Sequence, residues 1–177
     1  MKSAARPSLQ LQVRAASGRH AVPFLKTRLR RAHRLLESSL SQLSLSLVDR
    51  VEMAALHRRF LGRCGPTDVL SFEIDRDQRG RITAGEVVIC VPIARRAARA
   101  RGISLSNELL LYALHGMLHL CGFDDRTHRA FRAMHTKEDE ILTRLGVGPV
   151  FRPDPPADRR HSSLPGHRHR SSDRVTR

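Results

Sequence analysis

Two histidines four positions apart, His115 and His119, carry the clearest chemical signal in the chain. They lie in the segment 115–125, which reads His-Gly-Met-Leu-His-Leu-Cys-Gly-Phe-Asp-Asp. On a helix, residues at i and i+4 project from one face one turn apart, so both imidazoles can bind one metal ion. Gly122 stands where a helix can end in a left-handed turn, after which Asp125 can bring a carboxylate back toward the histidines. Three protein ligands with a fourth position open are typical of a catalytic zinc site.

The third ligand has two candidates in adjacent positions. Asp124 is the alternative, and Asp125 is preferred because the spacing His-x3-His-x5-ligand closes a three-point site. A histidine pair alone is also common on helices that bind no metal. The glycine and the following carboxylate are what favour the metal interpretation here.

The segment that carries the histidines predicts a buried helix. Ser104 or Ser106 can cap it, and Glu108 falls in its first turn, where a carboxylate is favoured. Its apolar residues surround almost the whole circumference: Leu109, Leu110, Leu111, Ala113, Leu114, Met117 and Leu118. A rigid, buried helix is the support that a metal site needs.

Around this helix the sequence predicts a single domain of the mixed α/β (α+β) class. Four strands are predicted, at 8–13, 42–48, 67–74 and 85–91. Further helices are predicted at 23–36, 50–60, 92–101 and 127–145. The first of them is amphipathic and basic, which suits either solvent or RNA. The domain is placed at residues 1–148, and the proline-, serine- and arginine-rich segment 149–177 is predicted to be a disordered basic tail.

Composition favours a polyanionic partner. The chain has 177 residues, a formal net charge of +15 and a pI of about 11.5. Nucleic acid is the leading candidate, although an organism that favours arginine codons can also produce individual clusters of arginine. The chain has no Trp, one Tyr and six Phe, which argues against an extended platform for stacking bases and favours a protein that contacts the phosphate backbone.

The cysteines and the N-terminus bear on the cellular setting. Cys64, Cys90 and Cys121 are an odd number with no CxxC spacing, so a disulfide framework and a cysteine zinc ribbon are excluded. The sequence has no signal-peptide pattern and no run that could span a membrane. We therefore expect a soluble, cytoplasmic protein with no membrane partner.

Three motifs in order resemble one known family. They are Pro-Thr-Asp-Val-Leu-Ser-Phe at 66–72, Gly-Glu-Val-Val-Ile at 85–89, and the histidine segment at 115–125. Their sequence and spacing resemble the YbeY family of bacterial rRNA maturation factors. Met134 and Glu138 fall where that family has Met and Glu on a final helix. The resemblance covers roughly residues 8–146.

The resemblance implies a metal-dependent, single-strand-specific endoribonuclease with one zinc ion per chain. It implies action in maturation of the 3′ end of small-subunit rRNA and in ribosome quality control. The partners would be rRNA and the small ribosomal subunit, with ribosome-assembly proteins as further candidates. The implied fold is a small mixed β-sheet flanked by helices, with the metal in a cleft beside a basic channel.

The chain departs from the family pattern at three positions. Asp125 stands where the family has its last histidine, so the ligand set becomes His115, His119 and Asp125. This set still suits zinc, and its carboxylate oxygen makes it more suitable for manganese than three histidines would be. Leu61 stands where the family has a functionally important arginine. Arg59 and Arg63 are both candidates to supply that catalytic guanidinium, and the sequence does not choose between them. Glu86 replaces an aspartate, a mild change.

Two rival functions remain, and the general base is open. The histidine spacing is also that of zinc proteases, but the position of their catalytic glutamate is Gly116, which has no side chain. The serious alternative is a non-catalytic RNA-binding ribosome-assembly factor with a structural metal. Asp68 is a candidate base, although an aspartate beside a strand start more often satisfies backbone groups.

Overall fold

The computed structural model describes residues 8–36 and 38–149, which form four strands, five α-helices and one short 3₁₀ helix (Arg19–Ala21). The strands are β1 (Gln10–Ala15), β2 (Gln42–Val48), β3 (Val69–Arg76) and β4 (Ile82–Cys90). The helices are α1 (Val22–Leu35), α2 (Arg50–Leu61), α3 (Val91–Arg101), α4 (Leu105–Leu120) and α5 (His128–Arg144). The predicted α/β class is confirmed. Most of the predicted tail, 150–177, lies outside the described residues.

The sheet is mixed, with the order β1-β2-β4-β3. β1 pairs with β2 in parallel, and β2 pairs with β4 in parallel, with Leu45 opposite Val87. β3 runs antiparallel to β4 and forms one edge. The implied small mixed sheet of four strands is therefore confirmed.

The β3–β4 hairpin is longer than the sequence predicted. β3 continues past Ile74 to Arg76, and β4 begins at Ile82 rather than at Gly85. The added Asp75 and Arg76 of β3 are polar and exposed. On β4 the added Ile82 and Ala84 are buried, but together with Thr83 they alternate over only three residues, which is too short a run to predict a strand. A bulge at Asp75 further disturbs the alternation of side chains.

Helices cover both faces of the sheet. Val87 and Ile89 belong to the main core together with residues of α1, α4 and α5, whereas Val88 and Cys90 belong to a smaller cluster that includes Met53 of α2. Successive strand residues point to opposite faces, so these two clusters lie on opposite sides of β4. The apolar α4 is thus enclosed between the sheet and the other helices, as its sequence predicted.

Gly116 allows α4 to lie very close to the sheet. A Cβ atom at this position would lie 2.7 Å from Cγ1 of Val87 and 2.8 Å from Oγ of Ser71. Such distances are too short for any real Cβ contact, so another residue at 116 would push the helix away. The missing side chain therefore sets the depth at which the neighbouring His115 is held.

No helix in the described ranges, 8–36 and 38–149, is long and apolar enough to cross a membrane.

Candidate metal centre

The end of α4 brings three ligand atoms together. Ser104 caps the helix, with its hydroxyl accepting a hydrogen bond from the Asn107 N–H at 3.1 Å. At the other end Gly122 adopts φ 93°, and the Phe123 N–H donates to the Leu118 carbonyl at 3.0 Å. This Schellman-type ending reverses the chain. The turn places the carboxylate of the residue at 125 beside the last two turns of the helix.

The ligand atoms form a compact triangle. Nε2 of His115 lies 3.1 Å from Nε2 of His119. Oδ2 of Asp125 lies 3.9 Å from the first nitrogen and 3.8 Å from the second. Ligands at zinc-bond lengths around a tetrahedral ion are separated by about 3.3 Å. Two imidazole nitrogens and one carboxylate oxygen at these separations therefore fit a divalent ion such as zinc.

Both imidazoles are oriented by contacts of their other nitrogen. Nδ1 of His115 lies 2.8 Å from Oε1 of Glu138, and Nδ1 of His119 lies 3.1 Å from the carbonyl oxygen of Phe123. In each case Nδ1–H is the donor that the oxygen requires, which leaves the lone pair on Nε2. Histidine ligands of metal sites are typically held in this way. The two rings are thus prepared as ligands by the protein itself.

Glu138 is a buried residue that contacts a candidate metal ligand without being a ligand itself. Its side chain is 1% exposed, and its two oxygens contact two different histidines. Oε1 contacts His115, and Oε2 lies 2.5 Å from Nδ1 of His135. The ring of His135 also stacks on that of His115, with centroids 6.0 Å apart. A buried carboxylate is stable only with such partners, so this cluster is a specific arrangement.

The electrostatic surroundings favour a positive charge at His115. Burial lowers the pKa of its imidazole, but the hydrogen bond and negative charge of Glu138, together with the charges of Asp125 and Asp68, outweigh burial. The net effect raises the pKa of His115 above its usual range. A metal cation benefits from the same negative surroundings.

The two adjacent aspartates have different roles. Asp124 accepts hydrogen bonds from the side chain of Arg126 at 3.0 Å, which hold the pKa of that carboxyl below its usual range. Asp125 instead belongs to the cluster with His115 and His119 that can hold a metal ion. The structure therefore brings together the three residues that the sequence favoured, and turns Asp124 toward a surface arginine.

The metal cluster opens into a cleft of about 1310 Å³. Four arginines line it, at positions 63, 76, 101 and 126. Arg76 and Arg126 pair with exposed carboxylates, and within the described ranges Arg63 has no carboxylate partner. The cleft thus combines a candidate metal centre with cationic walls, an arrangement suited to a phosphodiester.

The two predicted catalytic arginines differ in position. Arg63 lines the cleft, whereas Arg59 is not among the lining residues that the structure describes. The guanidinium carbon of Arg59 lies 5.3 Å from the ring centroid of Phe60 instead. Leu61 does line the cleft, so an apolar side chain stands where the resemblance gives an arginine.

Asp68 occupies the structural role that an aspartate at a strand start often has. Its Oδ1 accepts hydrogen bonds from the Thr67 hydroxyl at 3.0 Å and from the Val69 N–H at 2.9 Å. Asp68 also lines the cleft. These contacts hold the carboxylate at the beginning of β3, facing the same cavity as the histidines.

His135 and the pair Arg101–Glu108 were missed by the sequence analysis. The i, i+3 spacing of His135 and Glu138 on one helix was the available signal for the first. The second joins the end of α3 to the beginning of α4, with Nη1 of Arg101 lying 3.0 Å from Oε1 of Glu108. No local pattern announces that contact.

Fold and site together define an α+β protein with a candidate two-histidine, one-aspartate metal centre in an arginine-lined cleft. Comparison with known proteins agrees with this class. The family profile described as Endoribonuclease YbeY matches residues 15–146. The solution structure of TM1509 from Thermotoga maritima superposes with a TM-score of 0.53 at 23% identity, covering 85% of this chain and 100% of that one, and supports the fold.

Curated relatives make the assignment specific. Endoribonuclease YbeY of Acidothermus cellulolyticus is 40% identical over 138 residues, which are 72% of this chain and 78% of that protein. Endoribonuclease YbeY of Geobacillus thermodenitrificans is 36% identical over 116 residues, 60% of this chain and 74% of that protein. The chain belongs to the YbeY endoribonuclease family, and the resemblance seen in its motifs is confirmed.

Proposed function

We propose that this protein is an endoribonuclease that cleaves single-stranded RNA with one zinc ion held by His115, His119 and Asp125. The observation that supports this most strongly is the pair of Nε2 atoms 3.1 Å apart, each turned into the cleft by a contact at its own Nδ1. When bound, the ion supplies Lewis-acid chemistry, lowering the pKa of water and polarising a phosphoryl oxygen.

The chain's own residues contribute binding and orientation. Glu138 fixes the ring of His115, and its burial keeps this contact away from competing water. Arg63, on the cleft wall, is the better placed of the two candidate arginines to neutralise the charge that develops on the phosphate. The arginine-lined cleft holds the polyanionic backbone in register with the metal centre.

The biological setting follows from the family. We propose that the RNA is ribosomal, with the 3′ end of small-subunit rRNA as the target and ribosome quality control as the wider role. The small ribosomal subunit and ribosome-assembly proteins are the proposed partners, and the cytoplasm is the proposed location. The net charge of +15 supports a large polyanionic partner. Residues 1–148 are proposed as the catalytic domain, followed by a basic tail.

Elemental analysis of untagged protein tests the metal site first. We expect about one zinc per chain in the wild type, and loss of that zinc in His115→Ala and His119→Ala. His128→Ala is the matched control because His128 is exposed and lies outside the cleft among the described residues. Retention of full zinc in both site variants would contradict the assignment of the ligands.

A cleavage assay then tests the activity. Zinc-loaded wild-type protein should cut a single-stranded RNA oligonucleotide internally, and His115→Ala should not. Cleavage of a matched double-stranded RNA at the same rate would contradict the proposed single-strand preference.

A non-catalytic ribosome-assembly factor is the second candidate. The observation in its favour is Leu61, an apolar side chain in the cleft wall where the resemblance gives an arginine. This alternative expects zinc and RNA binding without cleavage, and RNA binding that is unchanged in His119→Ala. Metal-dependent cleavage by the wild type excludes it.

A further inference from the structure

A second buried carboxylate lies at the beginning of α4, at the opposite end of the helix from the turn that leads to Asp125. Glu108 in the first turn of α4 is 0% exposed. Both of its oxygens accept hydrogen bonds from Nη1 of Arg101, at 3.0 and 3.1 Å. A buried carboxylate is costly unless it is paired, so Arg101 and Glu108 hold each other in one arrangement.

Glu108 uses only one nitrogen of Arg101. Arg101 lines the cleft, and its side chain is 46% exposed. Within the part of the chain that the structure describes, Nε and Nη2 of this guanidinium have no hydrogen-bond partner. A guanidinium fixed on one side and open on the other retains planar donors for a phosphate.

An aromatic ring lies one helical turn further along. Tyr112 follows Glu108 at i+4, is half-buried and lines the same cleft. Burial, together with the charge of Glu108 and a hydrogen bond to it, raises the pKa of Tyr112, so the side chain remains a neutral phenol. Leu61 and Leu111 line the cleft as well and provide apolar surface. The ring and these leucines suit the face of a nucleobase.

The position along α4 relates this cluster to the metal centre. The helix rises about 1.5 Å per residue, so Glu108 precedes His115 by about 10 Å and Tyr112 precedes it by about 4.5 Å. Arg101 is bound to Glu108, so its guanidinium lies near the carboxylate that precedes His115 by about two helical turns. The cluster is therefore suited to a nucleotide next to the one that is cleaved.

We propose that Arg101 and Tyr112, positioned by Glu108, form a binding subsite for one nucleotide of single-stranded RNA adjacent to the scissile phosphate. Arg101 binds the phosphate of that nucleotide, and the ring of Tyr112 stacks on its base. The low aromatic content argues against an extended stacking platform, and a single ring beside a guanidinium requires none. This inference rests on the proposed function, because it takes RNA as the ligand of the cleft.

Binding of short single-stranded RNA to full-length, metal-free protein tests the subsite without cleavage. The oligonucleotides are lengthened one residue at a time at either end, and affinity is followed by fluorescence anisotropy. In the wild type, one added nucleotide should give a clear gain in affinity, and Arg101→Gln should lose that gain. Arg99→Gln is the matched control, because Arg99 is exposed in the same last turn of α3 and its substitution removes the same charge.

The two contacts are tested separately. The salt dependence of RNA binding tests the phosphate contact of Arg101, and variants of Tyr112 test the stacking of its ring on the base. Loss of one phosphate contact in Arg101→Gln should reduce the slope of log affinity against log salt by about 0.7. Tyr112→Ala should weaken binding about tenfold, and Tyr112→Phe should keep wild-type affinity because the ring remains. An abasic nucleotide at the added position should cost the wild type the same factor and cost Tyr112→Ala nothing further.

A folding defect is kept apart from a binding defect. Arg101→Gln leaves Glu108 buried without its partner, so the double variant Arg101→Gln/Glu108→Gln removes both charges and should fold while still losing the gain. The affinities of the variants for every oligonucleotide are compared with those of Arg99→Gln. The subsite is wrong if Tyr112→Ala matches this control and at least one of the two Arg101 variants, single or double, matches it as well. If they lose the gain but zinc-loaded wild type cleaves nothing, the subsite stands and the proposed cleavage fails.

Discussion

Oε1 of Glu138 lies 2.8 Å from Nδ1 of His115, and this contact joins the last helix to the helix that carries the candidate metal ligands. It fixes which ring nitrogen holds the proton and which faces the cleft. The other oxygen of the same carboxylate contacts His135. The buried side chain of Glu138 thereby holds both His115 and His135.

Removing the charge of Glu138 should weaken metal binding. Glu138→Gln retains the shape of the side chain but cannot accept two charge-assisted hydrogen bonds, so zinc affinity should fall about 10- to 100-fold. Competition with a chromogenic chelator measures it. Glu140→Gln is the control, because Glu140 pairs with Lys137 on the exposed surface. Equal zinc affinity in both variants would contradict the orienting role.

Acid should displace the metal at a higher pH than an ordinary histidine site allows. The pKa of His115 is raised in the folded protein, so in the metal-free protein the protonated ring stabilises the fold. This contribution to the free energy of unfolding is complete below about pH 6.5 and is lost as the pH rises through the pKa of the folded state. Zinc needs the neutral ring, so its affinity should fall as the pH is lowered through that raised pKa. Zinc titrations between about pH 8 and about pH 6 measure this; a flat profile would contradict it.

Gly116→Ala should destabilise the protein. An alanine in an open helical position stabilises by up to about 1 kcal/mol, whereas here its Cβ meets Val87 and Ser71, which should cost about 1–3 kcal/mol. Denaturant unfolding gives the sign. Val87→Ala should cost less stability in this variant than in the wild type, because it removes the Cγ atoms in conflict with the new Cβ. A stabilised single variant would show that α4 does not lie so close to β4.

The three cysteines should react with thiol reagents at different rates. Cys64 is exposed, whereas burial raises the pKa of the Cys90 and Cys121 thiols. A higher pKa leaves less thiolate at mildly alkaline pH, so one thiol per folded chain should react fast and two slowly. All three should react together after denaturation, which is the control. Fast reaction of two or more thiols in folded protein would contradict the burial.

Arg63 and Arg59 should not be equivalent. Of these two arginines, only Arg63 lines the cleft in the described part of the chain. Arg63→Gln should therefore reduce kcat for RNA cleavage by about 10²-fold or more, because its guanidinium is placed to contact the developing charge. Arg59→Gln should change kcat little. Steady-state kinetics with one oligonucleotide compares them. Equal losses would mean that neither side chain has the proposed special role.

The sequence predicted local features well wherever a period or a cap recorded them. The range of β2 agrees with its prediction residue for residue, and α2 and α3 agree to within one residue at either end. The β3–β4 hairpin was underestimated because Asp75 and Arg76 are polar and exposed, and because the alternation at the start of β4, residues 82–84, is too short to predict a strand. Between Ser104 and Ser106, the geometry selected Ser104 as the cap of α4.

The sequence by itself determined the fold class, the family and the spacing that lets His115, His119 and Asp125 meet, because those depend on periodicity, turn residues and short-range geometry. Only the tertiary structure decided that Arg63 rather than Arg59 faces the cleft, that Glu138 orients His115, and that Arg101 and Glu108 form a pair. These relationships join residues on different elements. Their distances depend on how helices pack against the sheet, which no local pattern in the chain encodes.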